Sequence, residues 1–280
     1  MSDPEWRRLN RANWDERVAA HLAPQSDYIP DALASGRYEL HAIEEQELGP
    51  IAGLRLLHLQ CHFGIDTLAL AQRGAIVTGL DFSAPAIAEA RALAARHAIP
   101  ATFVQADIYE ARAALHGVFD RVFTSWGTIC WLPDIDAWAR VIASLLAPSG
   151  EFYFADIHPM AQALDDEVTG SQGLPGWFAP YFQQGALVTD DVRDYANPEA
   201  RLANSRTHQF IHPVAKVVQA LLDAGLRLVM LHEHDTLAWP QFACMVEAQG
   251  RLYRLPTKPW LPLSYSLKAT KPPAEPKPKG

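Results

Sequence analysis

Cysteine is scarce in this chain. Cys61, Cys130 and Cys244 make an odd number, with no CxxC pair and no spacing suited to a metal, so they read as reduced core thiols. Long apolar runs are missing too. No stretch approaches the roughly 20 apolar residues that span a bilayer, and the opening MSDPEWRRLNRANWDERV lacks an apolar signal core. A cytoplasmic protein with no membrane partner is expected. Basic charge is also in short supply: 24 Lys and Arg face 32 Asp and Glu, a formal net charge of -8, with no Lys/Arg stripe in the folded part. Such a surface repels phosphate backbones, which argues against a nucleic-acid partner and for a small neutral or cationic molecule. No internal repeat is present. Nothing in the sequence bears on oligomeric state.

What the chain does contain is a rhythm. Hydrophobic residues make up 49% and charged residues 20%, ordinary for a globular protein, and 280 residues suit one α/β domain carrying an insertion. From residue 54, short apolar runs alternate with amphipathic stretches, the pattern of βαβ units around a parallel sheet. Strands are expected at 54–60, 75–80, 101–106, 118–125 and 151–157. Helices follow at about 64–73, at APAIAEARALAARHA behind a Ser83 cap, and from Asp134 to the Pro148–Gly150 stop. Residues 213–224 read as another helix, with strands at 227–232 and 261–269.

Three departures from this rhythm define the domain organisation. Residues 1–45 precede the sheet, and Trp6, Trp14, Val18 and His21 or Leu22 recur at helical spacing, so an amphipathic helix packs back onto the body as core cover or as a roof over a cofactor. Residues 160–212 lose the βα period, carry GLPGWFAPYF and a strand pair near 190–210, and read as a lid or substrate-binding insertion in the 46–270 domain. The Pro- and Lys-rich residues 271–280 read as a disordered tail.

Open α/β sheets bind ligands at the carboxyl ends of their strands. Four strand ends here carry suitable chemistry. Gln60-Cys61-His62-Phe63-Gly64 turns tightly into a helix, whose backbone N–H groups favour a carboxylate. Asp81 lies seventeen residues past Gly64 (81 − 64), placed to accept ribose hydroxyls. Asp107 can accept from an adenine amino group. At Ser125-Trp126-Gly127 the bare Gly127 lets backbone approach a ligand.

These motifs resemble those of the class I S-adenosylmethionine-dependent methyltransferases. LLHLQCHFG at 56–64 is similar to the family's VLDLGCGxG turn, VTGLDFS at 77–83 to its ribose motif and FVQAD at 103–107 to its adenine motif. FDRVF at 119–123 and LLAPSG at 145–150 match the fourth strand and the turn into the fifth. The resemblance covers about residues 54–160. It implies a Rossmann-like, doubly wound, mostly parallel sheet of seven strands in the order 3-2-1-4-5-7-6, with the last strand antiparallel. It also implies S-adenosylmethionine as cofactor, held by Gln60, Cys61, His62, Gly64, Asp81, Phe82, Asp107, Ile108, Ser125 and Trp126.

The departures fall in the first turn. His58 stands where the family has an acid near the cofactor's ammonium, leaving backbone carbonyls around Ser125 to take that part. Gln60 and His62 replace glycines, and Ser149 replaces the first glycine of a Pro-Gly-Gly turn. A sub-group of the family shares the LLHLQCHFG-type turn and a WLPD segment like that at 131–134.

Methyl transfer from a sulfonium needs in-line alignment and exclusion of water, and an oxygen or nitrogen acceptor also needs its proton removed. His158, after the fifth strand, and His212, ahead of the helix that follows the insertion, are the candidate catalytic bases. Each also has a structural reading as a satisfied strand-end histidine. Trp14, Tyr28, Trp131, Trp177 and Tyr181 are candidates for the acceptor pocket. His232-Glu233-His234-Asp235 lacks a third ligand at a useful spacing, so no metal is expected. Two rivals stay open. One is a catalytically silent member of the same fold that binds the cofactor or a partner protein. The other is a nicotinamide-dependent oxidoreductase, which QCHFGID argues against because it is not GxGxxG.

Overall fold

A computed structural model describes residues 3–274 apart from 27, 29, 37 and 171–173. Two helices, α1 (Glu5–His21) and α2 (Ala42–Glu47), precede the sheet. Strands and helices then alternate: β1 (Arg55–Leu59), α3 (Ile65–Gln72), β2 (Ile76–Asp81), α4 (Ala84–Arg96), β3 (Thr102–Gln105), α5 (Ala111–Ala114), β4 (Phe119–Ser125), α6 (Ile135–Leu145) and β5 (Leu146–Ile157). The insertion supplies α7 (Pro159–Gln162) and the hairpins β6 (Leu164–Thr169) with β7 (Pro175–Trp177) and β8 (Leu187–Asp190) with β9 (Arg206–Gln209). The chain continues through α8 (Val214–Asp223) and β10 (Arg227–His234). Three short strands follow, β11 (Thr236–Leu237), β12 (Val246–Ala248) and β13 (Leu252–Arg254), and β14 (Ser264–Thr270) returns to the main sheet.

That sheet runs β3-β2-β1-β4-β5-β14-β10. Strands β1 to β5 are mutually parallel, and β14 is antiparallel to both β5 and β10. This is the 3-2-1-4-5-7-6 order that the motifs imply. Side chains alternate across it because successive residues of a strand point to opposite faces. Leu57 and Leu59 join Trp138 and Ile142 of α6 and Val217 and Leu221 of α8 in one buried cluster. Leu56 joins Leu68 of α3 and Ile87 and Leu93 of α4 in another. Each such side chain, once fully buried, contributes about 1.5–3 kcal/mol, so both faces hold the sheet rigid beneath its loops. Ser83 caps α4 by accepting from Ala86 N, and Asp134 caps α6 by accepting from Ala137 N at 2.8 Å.

The strand pair anticipated near 190–210 lies at 187–190 and 206–209. Pairing of β5 starts at Leu146, ahead of the anticipated start at 151, because Phe119 pairs with Leu146 before the register slips to Arg121 with Glu151. Ser149 takes a φ of 63° in that bulge. The β6–β7 hairpin and the β11–β13 sheet are not anticipated by the sequence pattern; their strands are too short to display a period of two. Lys271 is tied down, its N–H bonded to Gly150 O and its ammonium to Ala143 O and Leu146 O. Of the anticipated tail, residues 275–280 lie outside the described residues. Among the described residues no helix is long and apolar enough to cross a membrane.

The first helix is bound to the insertion through polar side chains rather than an apolar stripe. Asn10 exchanges hydrogen bonds with both backbone groups of His208 on β9. Asn13 Nδ2 donates to Asn204 O, and Asn197 Nδ2 donates to Ala20 O at 3.0 Å. Glu16 accepts from the N–H groups of Ala203 and Asn204. Asn10 and Asn13 are buried, so each needs these partners to offset lost water. Helix and insertion together form one layer over the carboxyl end of the sheet.

Candidate active site

The turn after β1 keeps a glycine-type backbone with side chains added. Gln60, His62 and Gly64 have φ of 56°, 51° and 76°, so every second residue is left-handed. That conformation costs a non-glycine residue about 1–2 kcal/mol. At Gly64 no alternative exists, since a Cβ there would lie 2.5 Å from Phe103 Cε1. At the other two positions side chains are tolerated and used. Gln60 Nε2 donates to Thr128 O at 3.0 Å while its Oε1 is buried without a partner. Cys61 turns its thiol inward, where burial pushes its pKa well up, so its backbone and not its sulfur belongs to the site.

Asp81 ends β2 inside this turn. Its carboxylate accepts from His62 N and from Ser83 N, both at 2.9 Å, which leaves further lone pairs on both oxygens. Burial raises its pKa to about 6. Asp107 ends the next strand. One oxygen accepts from Tyr109 N as a cap, and the other lies 3.1 Å from Arg7 Nε of α1. Burial raises its pKa, opposed by those two contacts. A narrow pocket joins these ends, lined by Gln60, Asp81, Phe82, Asp107, Ile108 and Trp131 below and by Trp6, Arg7 and Asn10 of α1 above. The first helix is therefore a roof over this pocket, not merely core cover. Arg7 and Asn10 were not legible as pocket-lining residues; Asn10 lies one turn on from Trp6, whereas Arg7 lies beside it. A broader open depression on the β11–β13 sheet, lined by Asp235, Glu247 and Arg254, contains none of these residues.

The loop after β4 is held by one carboxylate. Asp156 of β5 accepts from the N–H groups of Gly127, Thr128 and Ile129 and from the Thr128 hydroxyl, at 2.5–3.2 Å. Asp156 thereby orients the Ser125–Ile129 turn. Trp126 takes a φ of 53° there, and its indole Nε1 is buried without a partner.

A chain of side chains crosses from the insertion to the first turn. Asp194 Oδ2 lies 2.7 Å from Arg17 Nη1 and 3.0 Å from His21 Nε2, and His21 Nδ1 lies 2.8 Å from His62 Nε2. A carboxylate only accepts, so His21 donates through Nε2 and accepts through Nδ1. His62 then donates through Nε2, which assigns its lone pair to Nδ1. Burial, with His21 and Arg17 beside it, pushes the His62 pKa well below the ordinary value. Aromatic rings surround the pair: Trp14 at 5.3 Å and Tyr28 at 6.1 Å from His62, with Trp131 5.4 Å from Trp14. His21 and Asp194 were not among the expected site residues, since nothing in sequence brings position 194 to position 21.

The other anticipated residues sit differently. Both nitrogens of His158 are engaged, Nδ1 with Met160 N and Nε2 with Glu233 Oε1, each at 3.0 Å. His212 Nε2 donates to Leu132 O at 2.7 Å, and its buried Nδ1 has no partner. Trp177 is 61% exposed, and Tyr181 accepts from Val214 N through its hydroxyl. Among the described residues, no ring contact joins either to the Trp14–Tyr28–Trp131 group. His232 bonds Glu47 and His234 bonds Ser266. Buried His58 bonds Thr67 Oγ1 through Nδ1, and burial lowers its pKa to about 4.

Residues 56–150 match the family model of a methyltransferase domain. The ubiquinone biosynthesis O-methyltransferase of Klebsiella pneumoniae is 31% identical over 169 residues, covering 54% of this chain and 69% of that protein. The chain belongs to the class I S-adenosylmethionine-dependent methyltransferases. A second O-methyltransferase of that description, from Cronobacter sakazakii, is 31% identical over 140 residues, 48% of this chain and 57% of its own length. The match thus spans little more than half of several of these curated relatives. Among solved structures, a putative S-adenosylmethionine-dependent methyltransferase from Listeria monocytogenes superposes with a TM-score of 0.59 at 19% identity, covering 85% of this chain and 99% of that one. The DhpI–SAH complex gives 0.55 at 19% identity, covering 98% and 100%. These structures share the methyltransferase fold. In this methyltransferase the left-handed backbone of the family's glycine turn survives although two of its glycines do not.

Proposed function

We propose that this methyltransferase binds S-adenosylmethionine in the roofed pocket and transfers its methyl group to an oxygen or nitrogen of a small molecule. The observation that carries the reading is the convergence of Gln60, Asp81 and Asp107 on one pocket closed by α1. The acceptor set suits an adenosyl group: Asp81 retains lone pairs for ribose hydroxyls and Asp107 retains an acceptor for an adenine amino group. The bound cofactor supplies a methyl group already activated by its sulfonium. The protein's tasks are then to orient it, exclude water and deal with the acceptor's proton. The Trp6–Arg7–Asn10 face excludes water. Trp14, Tyr28 and Trp131 form an aromatic acceptor wall, and residues 160–212 serve as its lid.

His62 is better placed than His158 or His212 to take the proton. Its Nδ1 lone pair has no partner among the described residues and its ring adjoins the aromatic wall, whereas both nitrogens of His158 are engaged; the lowered pKa of His62 makes it a weak base that takes the proton only as the methyl group transfers. The O-methyltransferase activity of the relatives favours oxygen, and aromatic walls favour a phenol. The acidic balance of the chain supports an enzyme acting on a small molecule and not on nucleic acid.

The test is incubation with trideuteromethyl-labelled cofactor and a panel of phenols, carboxylic acids and amines, read by mass spectrometry. Label in a phenol product, absent with Asp81→Ala, is the expected result. Cofactor binding with no product from any class would favour the second reading, a silent binder, for which the replaced glycines Gln60 and His62 already speak.

A further inference from the structure

We infer that Glu44, on α2 ahead of the sheet, supplies the carboxylate that receives the α-ammonium of the cofactor's methionyl group, in place of the strand acid that His58 displaces. The inference rests on the cofactor reading above. His58 brings no negative charge, since it is a buried, neutral ring bonded to Thr67. Glu44 does. It is fully buried; Oε2 accepts from His41 N at 3.0 Å, and Oε1 has no partner.

It faces Ser125 and Trp126 at the carboxyl end of β4, where the ring of its neighbour His41 lies 5.6 Å from that of Trp126. Hydrogen bonding from the Trp126 indole and the Ser125 hydroxyl favours the ionised form of Glu44, yet neither reaches full hydrogen-bond geometry to Oε1. Gln60 Oε1, at the end of β1, is buried and unpartnered as well. Buried polar atoms left unsatisfied are rare, because each has lost its water without replacement. Glu44 Oε1, a carboxylate oxygen beside the end of β4, meets that description among the described residues. An ammonium has three N–H donors and a positive charge to offer it.

The charges facing Glu44 agree. Asp66 of α3 repels it, Arg251 attracts it, and the His41 N–H donates to it. Burial first, and Asp66 second, raise its pKa to about 8. Near neutral pH the carboxyl therefore keeps its proton until a cation arrives, and cation binding expels that proton.

The test is calorimetry on the full chain and on Glu44→Gln. The probes are S-adenosylhomocysteine and 5′-methylthioadenosine, which keeps adenine, ribose and sulfur but lacks the amino-acid end. Glu44→Gln is expected to weaken S-adenosylhomocysteine by at least about tenfold and to leave methylthioadenosine binding unchanged, which also shows that the variant is folded. Wild-type binding of S-adenosylhomocysteine near neutral pH is expected to release a proton, read as a heat that varies with buffer ionisation enthalpy. Equal loss for both ligands, no loss for either, or no proton release from the wild type would overturn the assignment. The last readout stands even where the variant does not fold. A wild type that binds neither ligand fails the cofactor reading itself, a separate outcome.

Discussion

His21 Nδ1 on the roofing helix lies 2.8 Å from His62 Nε2 in the turn after β1, and Asp194 of the insertion backs His21 at 3.0 Å. Three segments remote in sequence meet in this one line of hydrogen bonds. Roof, cofactor turn and insertion are thereby fixed relative to one another.

Removing the Asp194 carboxylate leaves four donors without their acceptor: Arg17, His21 and the N–H groups of Ala196 and Asn197. Asp194 is buried and Arg17 nearly so, so Asp194→Ala strands the guanidinium and His21 in a site with little water. A loss of about 3–5 kcal/mol is expected, seen as a lower urea midpoint. A change within experimental error would show that the clasp holds nothing.

Glycine is required at 64 for two reasons at once. Its φ is 76°, and a Cβ would meet Phe103 Cε1 at 2.5 Å and Cζ at 2.7 Å. Gly64→Ala is expected to cost about 2–4 kcal/mol from strain and overpacking together. An unchanged thermal midpoint would contradict the packing described for this turn.

Cofactor affinity should depend on pH through Asp81, whose folded-state pKa is raised to about 6. The ionised carboxylate accepts ribose hydroxyls, and protonation removes an acceptor. Affinity is therefore complete above about 6 and falls as pH drops through that value. S-adenosylhomocysteine titrations across this range are expected to lose that dependence in Asp81→Asn, with weaker binding throughout. A profile identical in wild type and Asp81→Asn would show that Asp81 does not face the ribose.

If His62 takes the acceptor's proton, His62→Gly separates chemistry from binding. Glycine suits the φ of 51° there, so the backbone of the turn is retained. With a phenol acceptor, kcat is expected to fall about a hundredfold or more while S-adenosylhomocysteine affinity stays near that of the wild type. Affinity lost with kcat unchanged would make His62 a cofactor contact instead.

The sheet was readable because each β–α unit repeats one pattern, apolar strand, polar turn, capped helix, and because Asp81 and Asp107 sit where such strands end. The turn at 60–64 was readable as a departure, but its consequence was not. Sequence shows that Gln60 and His62 replace glycines, whereas only the backbone shows that they keep left-handed geometry and turn their side chains to use. The roof is a middle case: Trp6 and Trp14 give the helix, but Arg7 and Asn10 reach the pocket through a packing angle that no periodicity encodes. Glu44, His21 and Asp194 were out of reach for the same reason, since each acts on a residue far from it in the chain.

The most direct measurement is a calorimetric titration with S-adenosylhomocysteine of the wild type and Asp81→Ala, with NADH as control. The account expects saturable binding to the wild type, weakened at least about tenfold by the substitution, and no binding of NADH. No binding of S-adenosylhomocysteine, or equal affinity in both proteins, would contradict a cofactor site built on Asp81.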